Sequence, residues 1–499
     1  MSDRREAVRE NAKYLRQVRP IDPEEVSEYV EGRPHPAVVR QLLREEAPDL
    51  GLVETDDDTF VPVEDEPIPP RREPVERLPD RYADRLEELL ADRYGPNWNE
   101  GASGDLLRSV VRRFKARYLE GRPVEYDEDT AAGYAIYHLP PYYAAVQYAL
   151  EDLAERELLG RDLRVLDVGA GVGGPALGLA DSLPADALVE YHAIEPSAAA
   201  DVLEELLAET GRNVHPTVHR TTAETFDPAD VDGEGFDLVL MCNVLSELED
   251  PEAVLRSYLE ALAPDGTVLA MAPADKHTSI GLRDLERAVE GERVAPVGAC
   301  GGDGERDADA GDDESSAGEV TVYSPAVRLW PGETPSDRGW SFDVRPDLET
   351  PPFQRRLDEA ASDDDHDPGE FRNVDVQFSY SILRLDGRRR VELELETSRW
   401  AKMAEMDRHV TNRIDLVAAK LSRSLSEGED ANPLFKVSDG SEDVDHYAVC
   451  TKETALNRAL LEADYGEVCS FESVLALWND DERAYNLVVD EETVVDRIT

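Results

Sequence analysis

Residues 164–174 read RVLDVGAGVGG, an apolar run that ends in four glycines within six residues and then enters GPALGLADS. A strand, a turn that glycine makes most cheaply and a helix opened by Pro175 form the first βα unit of a parallel, doubly wound α/β sheet. The text downstream repeats that alternation. VEYHAIEP, VHPTVHRTT, FDLVLMCNVL and GTVLAMAP are short apolar strand patterns separated by helical ones, and VDVQFSYSILRL followed by RRVELELE predicts a closing strand pair. The sheet region so defined runs from 161 to 397. Two acidic, low-complexity insertions inside it, GGDGERDADAGDDESSAGE and ASDDDHDPGE, read as surface loops.

The residues around the turn narrow what it can hold. Gly169, Gly171 and Gly174 satisfy GxGxxG, which by itself leaves a dinucleotide open. Asp167 precedes the first glycine by two residues, at the carboxyl end of the strand. A carboxylate there holds a cationic amino group and repels a pyrophosphate. Gly171 and Gly173 let a ligand approach the backbone without Cβ, and open sheets bind ligands at this end. Glu195, 28 residues beyond Asp167, is placed to accept hydrogen bonds from ribose hydroxyls, a role that serves NAD equally. Glu224, in TTAETF after the third strand, is placed for an adenine. Asn243, after the fourth, faces the methyl-transfer side. Asp167, Gly169, Gly171, Gly173, Glu195, Glu224 and Asn243 together predict a class I S-adenosylmethionine (SAM) site. No catalytic residue emerges: Cys242 reads as a small buried strand residue, and His192 and His219 lie in strand patterns as packed side chains.

The flanks carry different signals. Helical patterns at 3–18, 23–31 and 35–47, then GLVETDDDTFVPV, predict a winged-helix-like region over 1–65. After the linker EDEPIPPRREP, a helical region covers 76–160. Its segment LLRSVVRRFKARYLEGR puts Leu107, Val110, Val111, Phe114 and Tyr118 on one stripe and leaves Arg108, Arg112, Arg113, Lys115 and Arg117 outside it. Such a row is either a phosphate-contacting face or a solvated face paired with carboxylates. Residues 398–499 order as three strands, a helix and two strands, the sequence of an OB-fold-like barrel. Of Phe435, Tyr447, Phe471, Trp478 and Tyr485, three are expected to fill the barrel. Tyr447 and Trp478 are the pair expected to meet bases.

Charge sets the surroundings. The chain has 110 acidic against 53 basic residues, a formal net charge of −57 spread over folded segments and loops alike, and only seven of its basic residues are Lys. That pattern fits the cytoplasm of a salt-accumulating halophile, where molar salt shortens the Debye length to about 3 Å, so acidity does not exclude a nucleic-acid partner. Cys242, Cys300, Cys450 and Cys469 are dispersed with no CxxC, which argues against a disulfide framework or a closed zinc site and for a reducing compartment. The charged amino terminus and the lack of an apolar run of about 18 residues predict a cytoplasmic protein with no membrane partner.

LPPYYAAVQYAL upstream of VLDVGAGVGGPALGLA, then DLVLMCNVLSEL, VYSPAVRLWP, RGWSFD and FSYSILRLDG, is similar to the family of methyltransferase-like proteins of the small ribosomal subunit, mitochondrial assembly factors among them. The resemblance covers roughly 100–390. It implies SAM binding in a class I domain and association with small-subunit rRNA, in assembly or in rRNA methylation. Mitochondrial members hold an iron–sulfur cluster with a CPH motif, a further cysteine and a C-x-F motif. Here the matching segments are Ser324-Pro325-Ala326 and Trp340-Ser341-Phe342, with only Cys300 nearby, so no cluster is expected. Two other readings stay open: a winged-helix transcription regulator, and a small-molecule methyltransferase, which leaves the OB-like region without a role.

Overall fold

The amino-terminal helices take their boundaries from their caps. The computed structural model describes residues 2–498 apart from 121, 123, 232, 234, 296, 298–316, 326–328, 331–339, 363–365, 427, 429 and 430. Cys300, Ala326, residues 301–316 of the first acidic insertion and 363–365 of the second lie outside the described residues. Helices α1 (Ser2–Leu15), α2 (Pro23–Tyr29) and α3 (Pro36–Leu50) are followed by the strands β1 (Leu52–Glu54) and β2 (Phe60–Pro62). Asp22 caps α2, accepting from the Glu24 N–H, and α3 stops at Gly51 in the left-handed region. Then come α4 (Asp80–Tyr94), α5 (Gly101–Leu119) and α6 (Glu128–Ala154). The sheet segment follows as β3 (Asp162–Val168), α7 (Gly174–Ser182), β4 (Leu188–Ile194), α8 (Ala199–Leu207), β5 (Val214–His219) and β6 (Phe236–Cys242). Next are α9 (Pro251–Leu259), β7 (Leu262–Pro273), α10 (Lys276–Val289), the short β8 (Arg293–Val294) and β9 (Gly318–Glu319), β10 (Thr321–Ser324), β11 (Asp343–Arg345), α11 (Pro352–Glu359) and β12 (Val376–Arg384). The last segment holds β13 (Arg413–Lys420), β14 (Leu434–Ser438), β15 (His446–Cys450), α12 (Ala459–Glu462), β16 (Val468–Asn479), β17 (Ala484–Val489) and β18 (Val494–Arg497).

Residues 1–240 with 346–376 form one compact unit. Its winged-helix-like part pairs β1 with β2, and Ile21, between α1 and α2, exchanges both backbone hydrogen bonds with Phe60 at 2.8 and 2.9 Å. Three helices and this small sheet bury Val8, Ala12, Val39, Leu43 and Phe60. The core extends to Leu188 at the start of β4. Beside it, Asn213 clasps the Glu54 backbone, accepting its N–H at 2.7 Å and donating to its carbonyl at 3.2 Å. The winged-helix part is thus fastened at the amino ends of β4 and β5. Strands β6, β3, β4 and β5 lie side by side, all parallel; β6, β3 and β4 are largely apolar because both faces are covered, and β5, VHPTVH, is the partly exposed edge. Helix α6 packs on α7 through glycine: a Cβ on Gly178 would stand 2.3 Å from the Tyr143 carbonyl oxygen.

Residues 241–345 with 377–499 form the other unit. Here β12 pairs antiparallel with β7 on one edge and with β10 on the other. The strand expected at RRVELELE does not form, because both edges of β12 are taken. Val391 and Leu395 instead sink into an apolar cluster with Leu329, Trp330, Val417 and Leu421. The C-terminal strands close in the order β13-β14-β15-β17-β16 and back to β13, with β15 and β17 parallel. That five-stranded closed barrel is the OB-fold order. The helix expected from ETALNRALLEADYG shrinks to the four residues of α12. Buried Asn457 fixes the preceding turn, donating to the carbonyls of Lys452 at 3.0 Å and Asp490 at 2.8 Å.

Candidate functional site

Asp167 is the penultimate residue of β3 and is fully buried. Its register partner in β4 is Ala193, so Tyr191 and Glu195 flank it on the same face. The Tyr191 hydroxyl donates to Asp167 Oδ2, and Oδ1 is buried without a hydrogen-bond partner. Burial pushes this carboxyl up to about 7, with the Tyr191 bond opposing and the Glu195 charge adding to the rise.

The turn itself is positioned from β4. Gly169 and Ala170 both donate their N–H groups to the Ile194 carbonyl, at 2.9 and 3.1 Å. Glu195 clips the next loop to it, accepting the Gly171 N–H at 2.9 Å and the Ser197 N–H at 2.9 Å. Gly169, Gly171 and Gly173 all have positive φ, at 70°, 54° and 93°. A Cβ on Gly173 would also meet Leu203 at 2.7 Å, whereas one on Gly171 would meet nothing nearer than 4.0 Å. Gly173 is therefore favoured by its backbone conformation and by its contact with α8, and Gly171 by its backbone conformation beside open space.

An unpartnered buried carboxylate oxygen next to three left-handed glycines fits the cationic amino group of SAM and misfits a pyrophosphate. Asp167 would hold that amino group, the 169–173 backbone the chain beyond it, and Glu195 the ribose. When bound, SAM supplies a methyl group made electrophilic by its sulfonium. The structure thus brings together Asp167, Gly169, Gly171, Gly173 and Glu195. Tyr191 was not singled out by sequence, although its alternation phase with Glu195 marks it. Glu224 is exposed in the turn after β5. His192 and His219 stack on each other with ring centroids 5.3 Å apart, as packed residues. In the other unit, Asn243 is left-handed at φ 63°, donates its N–H to Met271 at 2.9 Å, and lines a cavity of about 340 Å³ with Glu252, His277 and Asp284.

The basic row on α5 divides. Arg108 is 2% exposed and donates to the carbonyls of Asn99 at 3.0 Å and Leu357 at 3.1 Å, so it leaves the set expected to meet phosphate and works as an interior clamp. Arg112 grips Glu370 with two bonds of 2.6 Å, and Lys115 donates to the Glu370 carbonyl at 3.3 Å. Arg113 and Arg117 are exposed and line a cavity of about 180 Å³. In the barrel, Phe435 and Phe471 are core and Tyr485 packs against it. Trp478 is 39% exposed and Tyr447 half-buried. In the Trp340-Ser341-Phe342 segment, Ser341 shares a 2.5 Å hydrogen bond with the Tyr465 hydroxyl and accepts from Ser279 and Ser379 through its carbonyl.

A methyltransferase domain model matches residues 166–268. The N-terminal and C-terminal domain models of a domain of unknown function, DUF8157, match residues 5–56 and 404–498. No curated protein sequence matches. Among solved structures, the chain is similar to the YcgJ protein from Bacillus subtilis, at 24% identity over 22% of this chain and 44% of that one, TM-score 0.19. An arsenic(III) SAM methyltransferase from Chlamydomonas reinhardtii is 26% identical over 22% of this chain and 38% of its own, TM-score 0.20. A putative SAM-dependent methyltransferase from Methanococcus maripaludis is 13% identical over 30% and 65%, TM-score 0.24. The chain therefore covers less than two thirds of each. Residues 166–268 belong to a class I, SAM-dependent methyltransferase domain.

Proposed function

We propose that this chain works on small-ribosomal-subunit RNA, in ribosome assembly or rRNA methylation, in the cytoplasm of a salt-accumulating cell. The observation that carries the reading is the joining, in one chain, of the SAM site to an OB barrel that keeps Trp478 and Tyr447 at its surface. Stacking on such rings tolerates high salt better than phosphate contacts do, which suits a chain of net charge −57. The transcription-regulator reading loses support at α3. Its two arginines, Arg40 and Arg44, are both paired with buried Glu54 and are not presented to a groove.

The small-molecule reading has one observation in its favour, the cavity beside Asn243, whose Leu245, Met271 and Leu282 walls suit a compact apolar acceptor. Comparing rRNA modification profiles and 30S maturation in cells with and without the gene separates these. Loss of one methyl mark makes the protein an rRNA methyltransferase, and defective 30S with every mark intact makes it an assembly factor. An unchanged profile with normal 30S removes the ribosomal reading and leaves the small-molecule one.

A further inference from the structure

One row of rings in the first unit is not among the residues assigned to SAM above. Tyr134, His138 and Tyr142 are spaced four apart on α6 and so stand on one face of it. Their centroids are 4.5 and 5.1 Å apart, and His138 and Tyr142 are stacked with 16° between their planes. Tyr126 meets Tyr134 edge-on at 5.3 Å. All four are half-buried, whereas rings that only fill a core are covered. The rings around His138 and the Lys115 ammonium bring its imidazole down to about 3, so this rung is neutral near pH 7.

The row borders the glycine turn at one end and the loop after β4 at the other. A Cβ on Gly174 would stand 2.9 Å from Tyr142 Cβ. At the other end the Tyr126 carbonyl accepts from the Ala198 N–H at 3.3 Å, next to Ser197, whose own N–H holds Glu195. On its outer side Phe114 packs on Tyr134 and His138 at 5.7 and 5.4 Å, and Phe114 also lines the cavity that Arg113, which donates to Thr130 Oγ1 at 3.3 Å, and Arg117 share with Glu125 and Asp127. Flat uncharged faces for a base and two guanidinium groups for phosphate are the two requirements of an unpaired nucleotide. We infer that Tyr134, His138 and Tyr142, with Arg113 and Arg117, form a docking site for one or two nucleotides of single-stranded RNA beside the SAM pocket. The inference rests on the RNA reading above and specifies where that RNA meets the methyltransferase domain.

The test uses the full chain, a fluorescent unstructured RNA decamer and a series from low to molar KCl, with SAM binding followed by calorimetry on the same samples. Tyr134→Leu and His138→Leu should each weaken RNA binding about tenfold or more without moving the SAM affinity. Arg113→Gln combined with Arg117→Gln should flatten the salt dependence. On the unmutated protein, 4-thiouridine photocrosslinking should label peptides within 113–142, a readout independent of how the variants fold. Wild-type RNA binding that every variant retains, or crosslinks confined to the barrel, overturns this docking site while leaving the RNA reading intact. A wild-type chain that binds no RNA at any salt overturns both.

Discussion

Asp167 is buried at the expense of the fold around it. Its buried carboxyl titrates near about 7 where an ordinary aspartate titrates at 3.8, so between those values the native chain keeps a proton that the unfolded chain has lost. Stability contributed by this residue therefore falls as pH rises through that window and stays low above it. Asp167→Asn should raise the melting temperature of the ligand-free protein more at about pH 8 than at about pH 5, which thermal scans at fixed KCl will show. A bound ammonium group favours the carboxylate, so SAM binding at about pH 6 should release a proton, seen as buffer-dependent heat in calorimetry. Asp167→Ala or Glu195→Ala should weaken SAM binding tenfold or more, because each leaves a donor of the ligand unpaired at about 1 to 3 kcal/mol. NAD binding more tightly than SAM would contradict the pocket assignment. Asp167 and Glu195 were readable in the sequence because strand ends locate them. Arg108 was not: a helical wheel puts it outside the apolar stripe, but Leu357, 249 residues away, covers it.

Elements were legible where one period ran unbroken. The parallel strands β3, β4 and β6 declared themselves as apolar runs, and the barrel by the order of its pieces. RRVELELE alternates as a strand does, but alternation reports one buried face and not what buries it. Its partner turned out to be the apolar cluster at Leu329, reached by backbone pairing of Leu395 with Leu329 at 2.8 Å. The contact between α6 and α7 is written in glycines whose purpose only packing reveals. Gly178→Ala should push α7 off the Tyr143 carbonyl, destabilise the chain by about 1 to 3 kcal/mol and lower SAM affinity, since α7 begins at the glycine turn. Differential scanning calorimetry with and without SAM checks both effects.

For the whole chain, net charge dominates. With −57 formal charges, self-repulsion opposes the compact state, and the melting temperature should fall steadily as KCl is diluted from molar to low concentration. A flat response would show that ion pairs such as Arg112 with Glu370 already balance the surface locally. The clasp of Asn213 on Glu54 fixes a separation as well as a contact. Beside it, Leu188 seats the same part at the amino end of β4, whose seven residues, at about 3.3 Å each, put Glu195 about 20 Å away. A metabolite seated at Glu195 is shorter than that gap and is indifferent to the first sixty residues. On the RNA reading proposed above, a strand running the length of the sheet would reach both ends at once, and binding should then weaken when the RNA is shortened below that span.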